Sequence, residues 1–334
     1  MLNRFKQLNM DELCQQLCVH GNTLIIYHVR SDADAVGSAF ALRELLRIMG
    51  IPSICVCADE VPERLRFLSE PAQGSVVPED GMGLDYDRVI SVDSASPSQL
   101  GSLFTKLHKY VDIMIDHHKT GSVYADHYID PDAAATGEII YSVAKRLVEM
   151  GKIPAIPMRV LQCVYAAISS DTGCFRFSNA TPATHRLAAE LLEAGVDASE
   201  INHLLYESKS LKQVAAEGEA ARSLCLYAEG MVATAKIPYA VKQRMGFSEE
   251  HLETVIDIPR SIAGVRVSFA LRQPEDEGVF RVSMRSASEV DVASICALFG
   301  GGGHTKAAGC TVKASSIEEA EKMILNEVMK QINA

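Results

Sequence analysis

Three apolar runs in this chain stop abruptly at acids or histidines. Thr23–Tyr27 ends at His28, Arg88–Val92 ends at Asp93, and the run beginning at Val111 ends at Asp116, His117 and His118. Short apolar runs alternating with helical patterns read as buried strands of an open α/β sheet, whose ligands sit at the carboxyl ends of the strands. A purely structural sheet has no reason to place ionisable groups repeatedly at that edge. The edge is therefore the expected site.

The stretch after the first run carries more. His28 closes the strand, Asp32 and Asp34 alternate across an expected extended loop, and Ala35, Gly37 and Ser38 let the next helix, running to Met49, begin close to the sheet. Asn9–Val19 reads as an amphipathic helix, Ser53–Ala58 as a further strand and Pro62–Leu68 as a helix opened by proline; Gly74–Asp87 is a turn-rich connection. Thr136–Met150 reads as a helix with a threonine cap, and Met158–Ser169 as a buried helix that delivers Asp171 beside Gly173. Pro182–Ala194 and Ala198–Tyr206 are further helices. Lys209–Leu224, charged and alanine-rich, reads as a helical linker.

Beyond it the pattern changes. Met231–Ile237, Val265–Leu271 and Val279–Met284 read as antiparallel strands, with helices at Val292–Phe299 and Ser316–Gln331. The expected fold class is α/β: a parallel-sheet N-terminal domain with flanking helices, a helical linker, and a smaller α+β C-terminal domain. That last module carries Arg285 at a strand end and the run Gly300, Gly301, Gly302, Gly303, His304. Consecutive glycines let backbone N–H groups approach an anion closely. The G-K-[ST] ending of a P-loop is absent.

With 334 residues, 48% of them hydrophobic, the chain is long enough for about two domains. The longest apolar segments, such as Val160–Ile168, fall short of the roughly 20 residues of a membrane span, and the N-terminus has no signal-peptide core, so a soluble cytoplasmic protein is expected. Nine scattered cysteines without a C-x-x-C pair read as reduced core thiols. A net charge of -11 argues against gripping long nucleic acid through many phosphates. Short or small anionic ligands remain compatible.

Collected, the edge holds His28, Asp32, Asp34, Asp93, Asp116, His117, His118 and Asp171. Five carboxylates in a small site repel one another until protons or cations neutralise them. Oxygen and imidazole donors without thiolate suit Mn(II), with Fe(II), Co(II) or Zn(II) as substitutes. Two such ions about 3.5 to 4 Å apart would supply a nucleophilic hydroxide near neutral pH and clamp a phosphoryl oxygen.

His28-x-x-x-Asp32-x-Asp34-Ala35-x-Gly37-Ser38, Asp93, Asp116-His117-His118 and Asp171-Thr172-Gly173 resemble the four motifs of the DHH phosphoesterase superfamily. Gly301-Gly302-Gly303-His304-x-x-Ala307-Ala308-Gly309 resembles the signature of its DHH-associated C-terminal domain. The resemblance implies a catalytic domain over 1–208, a helical linker over 209–223 and a substrate-binding domain over 224–334. It further implies one ion held by His28, Asp32, Asp93 and Asp171 and another by Asp34, Asp93, His117 and Asp171, with Asp93 as bridge. Asp116 would orient an imidazole and His118 would contact the scissile phosphate. Arg285, Gly301, Gly302, Gly303 and His304, with Arg176 a weaker candidate, would bind the substrate's far phosphate or base.

The arrangement is similar to the NrnA-type enzymes. This implies hydrolysis of short oligoribonucleotides, linear dinucleotides and adenosine 3′,5′-bisphosphate, with no membrane partner and a homodimer left open. Cyclic dinucleotide hydrolysis is the nearest rival, and a nucleotide-binding regulator with a decayed site is a second. An inorganic pyrophosphatase is disfavoured, because the C-terminal module shows no basic cluster in sequence.

Overall fold

The structure, a computed structural model, describes residues 5–69, 86–107, 110–275 and 277–332. Most of the turn-rich Gly74–Asp87 connection, 74–85, lies outside the described residues. The chain divides into two compact units, Met1–Ser208 and Lys209–Ala334.

In the first unit, strands β1 (Thr23–Ile26), β2 (Ser53–Val56), β3 (Arg88–Val92), β4 (Ile113–Asp116) and β5 (Asp126–Ile129) form a parallel sheet in the order β2-β1-β3-β4-β5. The helices are α1 (Met10–Leu17), α2 (Ala33–Ile48), α3 (Phe104–Leu107), α4 (Thr136–Glu149), α5 (Met158–Asp171), α6 (Pro182–Glu193) and α7 (Ala198–Asn202). Pro62 is followed by a 3-10 helix, Glu63–Leu68, rather than an α-helix. Every residue of β1 and β4 is buried, because both faces of the sheet are covered. Ile25, Ile90 and Ile115 face a core shared with α1, α2, α4 and α5, while Leu24, Val89 and Met114 face Leu100, Leu103 and Tyr124.

This strand order reverses direction between β1 and β3. A doubly wound sheet of order 2-1-3-4-5 opens its ligand crevice at that switch point, outside the carboxyl ends of the strands. His28 and Asp93 follow the two strands that flank it.

In the second unit, β6 (Cys225–Tyr227), β7 (Val232–Ile237), β8 (Val267–Arg272), β9 (Val279–Ser286), β10 (Gly302–His304) and β11 (Ala307–Lys313) form a sheet of order β10-β11-β9-β8-β7-β6. Its helices are α8 (Leu211–Arg222), α9 (Tyr239–Met245), α10 (Asp257–Arg260), α11 (Val292–Ala297) and α12 (Ile317–Ile332). The sheet is mixed rather than antiparallel, because β7 and β8 run parallel. Phe269, Val282, Met284 and Val312 pack beneath α11 and α12, and Ala235, Ile237 and Ala270 pack against α8. The segment expected as a linker is thus a helix whose Ala216 and Ala220 belong to a core of this unit.

Gly302–His304 is a strand paired with Ala307–Gly309. A Cβ on Gly301 would lie 2.2 Å from the Gly309 carbonyl oxygen, and one on Gly303 would lie 2.6 Å from that of Ala307. Close backbone approach therefore demands glycine at both, whatever the run binds. No helix among the described residues is long and apolar enough to cross a membrane.

Candidate metal centre

Three groups of ligand atoms converge at the carboxyl edge of the first sheet: His28, Asp32 and Asp93; Asp34, His117 and Asp171; and Asp93, His117 and His118. Strands β1, β3 and β4 and helices α2 and α5 deliver them. Asp32 is the N-cap of α2, its Oδ1 accepting from the Asp34 and Ala35 amides at 3.0 Å, so Asp34 lies in the first helical turn and not in an extended loop. Asp171 is the last residue of α5, which runs beyond its expected end at Ser169.

Asp93 adopts φ 52°, a left-handed conformation that residues other than glycine rarely take. Its amide donates to Ile115 O at 3.0 Å. The Tyr124 hydroxyl pins the following turn, donating to Ser94 O at 2.9 Å. The two Asp93 oxygens then face different imidazoles. Oδ2 lies 3.5 Å from His28 Nε2, whereas Oδ1 lies 3.7 Å from His117 Nε2.

Hydrogen bonds fix the tautomers of both rings. His28 Nδ1 donates to Val29 O at 2.9 Å and His117 Nδ1 to Ala133 O at 3.2 Å, since a carbonyl can only accept. Each Nε2 is therefore turned toward carboxylates, His117 Nε2 lying 3.2 Å from Asp171 Oδ2 and 3.8 Å from Asp34 Oδ2. A lone pair aimed at carboxylate oxygens requires a proton or a cation between them. The donor set fits divalent ions on this ground, with carbonyls behind the imidazoles as metal-site histidines require.

The electrostatics carry the same signature. Burial alone would lower His117, but the Asp171 hydrogen bond and the charges of Asp34, Asp171 and Asp93 lift it to about 11. Burial and the charges of Asp93 and Asp171 push Asp34 well above the usual carboxylate range, and burial with Asp32 and Asp93 raises Asp171 to about 6 against the pull of His117. Asp93 goes the other way. Burial opposes its ionisation, yet the His28 hydrogen bond and the charges of His28, His117 and His118 hold it well below that range.

Asp116 sits behind the histidines, its Oδ1 accepting from the His117 amide at 2.8 Å and from His118 Nδ1 at 2.6 Å. It orients His118 and belongs to none of the three ligand groups. Arg176 also lies outside them, exposed, its Nε donating to Gly173 O.

Two residues at the first turn of α4 were missed in sequence. Thr136 is its first helical residue and not its cap; Ala135 occupies the N-cap and offers no side-chain acceptor. Asp34 supplies the acceptor instead, taking the Thr136 amide at 2.7 Å and the Gly137 amide at 2.9 Å, while the Thr136 hydroxyl donates to Asp93 Oδ1 at 2.9 Å. Ser38 Oγ completes the shell of Asp34 at 2.8 Å.

In the second unit, sheet register lines up His304, Ala307, Arg285 and Ser268 across β10, β11, β9 and β8. Cross-strand partners project from the same face, so His304 and Arg285 share a surface with one alanine between them. Burial lowers the Arg285 pKa, Asp257 opposes this, and the nearby Arg260 and Arg272 reinforce it.

The N-terminal domain of the DHH family matches residues 22–168 and the DHHA1 domain matches 236–331. The bifunctional oligoribonuclease and PAP phosphatase NrnA of Thermus thermophilus is 33% identical over 320 residues, covering 94% of this chain and 91% of its own. The chain belongs to the DHH family. The same-named protein of Bacillus subtilis is 28% identical, with 94% and 96% of the two chains covered. A crystal structure of an exopolyphosphatase-related protein from Bacteroides fragilis shares the fold, with TM-score 0.87 at 20% identity over 99% of this chain and 98% of that one. This DHH-family chain is an enzyme, a hydrolase of phosphoesters that depends on divalent metal.

Proposed function

We propose that the enzyme hydrolyses short oligoribonucleotides, linear dinucleotides and adenosine 3′,5′-bisphosphate, using two Mn(II) ions, in the cytoplasm. The observation that carries the reading is the splitting of Asp93, whose two oxygens face two separately oriented imidazoles. Full-length likeness to a bifunctional oligoribonuclease and PAP phosphatase supports the substrate class. The acidic net charge of -11 supports short substrates over long ones.

His28, Asp32, Asp93 and Asp171 would hold one ion, and Asp34, Asp93, His117 and Asp171 the other. When bound, the pair supplies an activated water near neutral pH and neutralises charge on the phosphoryl group. His118, oriented through Nδ1 by Asp116 Oδ1 at 2.6 Å, would meet the scissile phosphate. Arg285, Gly301, Gly302, Gly303 and His304 bind the far phosphate or base, with Arg176 in a lesser role.

A panel of di- to pentaribonucleotides, longer RNA, adenosine 3′,5′-bisphosphate, pApA and cyclic di-AMP, each with Mn(II), tests the reading. Cleavage should fall steeply as RNA lengthens, and pApA should outpace cyclic di-AMP. Turnover of cyclic di-AMP ahead of every linear substrate would replace the proposal with the cyclic one. Binding without turnover would point to a regulator.

A further inference from the structure

We propose that Thr136 is a positioning residue that makes the two ion positions unequal. It presets the carboxylates on the His117 side and leaves the His28 side to form on its own. The inference rests on the two-ion reading above.

Thr136 is fully buried, so water cannot replace the hydrogen bonds it makes. Its hydroxyl has a single proton, and that proton goes to Asp93 Oδ1 at 2.9 Å. This contact distinguishes the two oxygens of a carboxylate that could otherwise flip about its last bond. Oδ1 stays with His117 and Oδ2 with His28.

The backbone of the same turn acts on the neighbouring ligand. Thr136 and Gly137 amides hold Asp34 Oδ2 and Oδ1, and Ala135 provides no competing cap. A helix N-terminus carries partial positive charge, so α4 also offsets the repulsion between Asp34 and Asp93 before any cation arrives. Two of the three carboxylates on the His117 side, Asp34 and Asp93, are thus buried, bonded and fixed.

The His28 side shares Asp93, but its own carboxylate, Asp32, lacks this support. Asp32 is held through one oxygen by the α2 amides, and its side chain is 45% exposed against 0% for Asp34. Preorganised ligands bind more tightly because less ordering remains to be done on binding. The His117-side position therefore fills first, and its affinity depends on Thr136.

The test is titration of Mn(II) into chelator-stripped protein, followed by calorimetry and by the electron paramagnetic resonance of free Mn(II). Wild type should show a tight and a weaker step. Thr136→Val should weaken the tight step about tenfold or more and move the weaker one less than about twofold. Thr136→Ser, which keeps the hydroxyl, should restore the tight step, and His28→Ala should remove only the weaker one. Circular dichroism establishes that each variant is folded; should the valine variant not fold, Thr136→Ala carries the same expectation.

Equal weakening of both steps by Thr136→Val, or a serine variant as weak as the valine one, overturns the inference while leaving two ions in place. Wild-type protein that takes up fewer than two ions overturns the two-ion reading and this inference with it.

Discussion

Asp93 faces two separately oriented imidazoles with different oxygens, and it does so from a left-handed backbone conformation. Loss of a residue that merely orients a ligand costs about 10- to 100-fold in metal affinity or activity. Asp93→Ala removes a ligand of both positions, so Mn(II) uptake and turnover should fall together by more than that; activity surviving at wild-type level would end the bridging role. The imidazoles make a second prediction. His117 is lifted to about 11 and His28 well above its usual value, so both carry a proton at neutral pH in ion-free protein. A ligating imidazole must be neutral, hence each ion displaces at least one proton, and affinity should rise about tenfold per pH unit between pH 7 and 8. Below about 6 the dependence steepens, because Asp171 is then protonated as well. Calorimetry in buffers of different ionisation enthalpy counts the protons, and a count of zero contradicts protonated rings in the ion-free protein. These proposed ligands stood out in sequence because they follow strands, open a helix beside small residues or, for Asp171, close one beside Gly173. Thr136 was not, because its partner Asp93 lies 43 residues away and a threonine at a helix start reads as a cap.

The α4 helix is placed by contacts that tolerate no side chain. A Cβ on Gly137 would lie 2.5 Å from Ala167 Cβ on α5, and one on Gly37 of α2 would lie 2.6 Å from Cys163 O. These close approaches bring the first turn of α4 within hydrogen-bonding reach of Asp34 on α2. Gly137→Ala should therefore cost about 1–3 kcal/mol by overpacking, read by urea denaturation, and should weaken Mn(II) binding in the fraction that remains folded. Unchanged stability would mean that α4 can shift without loss. Helices with apolar faces, and the strands β1 to β4, could be read from periodicity. Strand β5 could not, since Asp126–Ile129 mixes acid, histidine and tyrosine and is exposed enough to lack a clear alternation. Strand β10 could not either. Two of its three residues are glycine, which has no strand preference, and its pairing with β11 is decided by the backbone contacts of Gly301 and Gly303.

Across the whole molecule, the proposed ligands all belong to Met1–Ser208, while Lys209–Ala334 has its own cores beneath α11 and α12 and against α8. Ligand binding stabilises only the folded form that holds the ligand, so ions should raise the melting of the first unit and leave the second where it is. At free Mn(II) about 100 times its dissociation constant, one site adds about 2.7 kcal/mol. For a domain of this size that shifts melting by about 5 to 10 °C. The direction follows from the charge balance as well. Without cations, Asp34 and Asp171 are held partly neutral by burial and mutual repulsion, so the ion-free edge is a strained arrangement that chelation exposes. Scanning calorimetry with excess Mn(II) and then with EDTA should show two transitions, of which one moves. If both move by the same amount, the units unfold as a single cooperative block; if neither moves, the acidic edge of the first sheet does not hold ions.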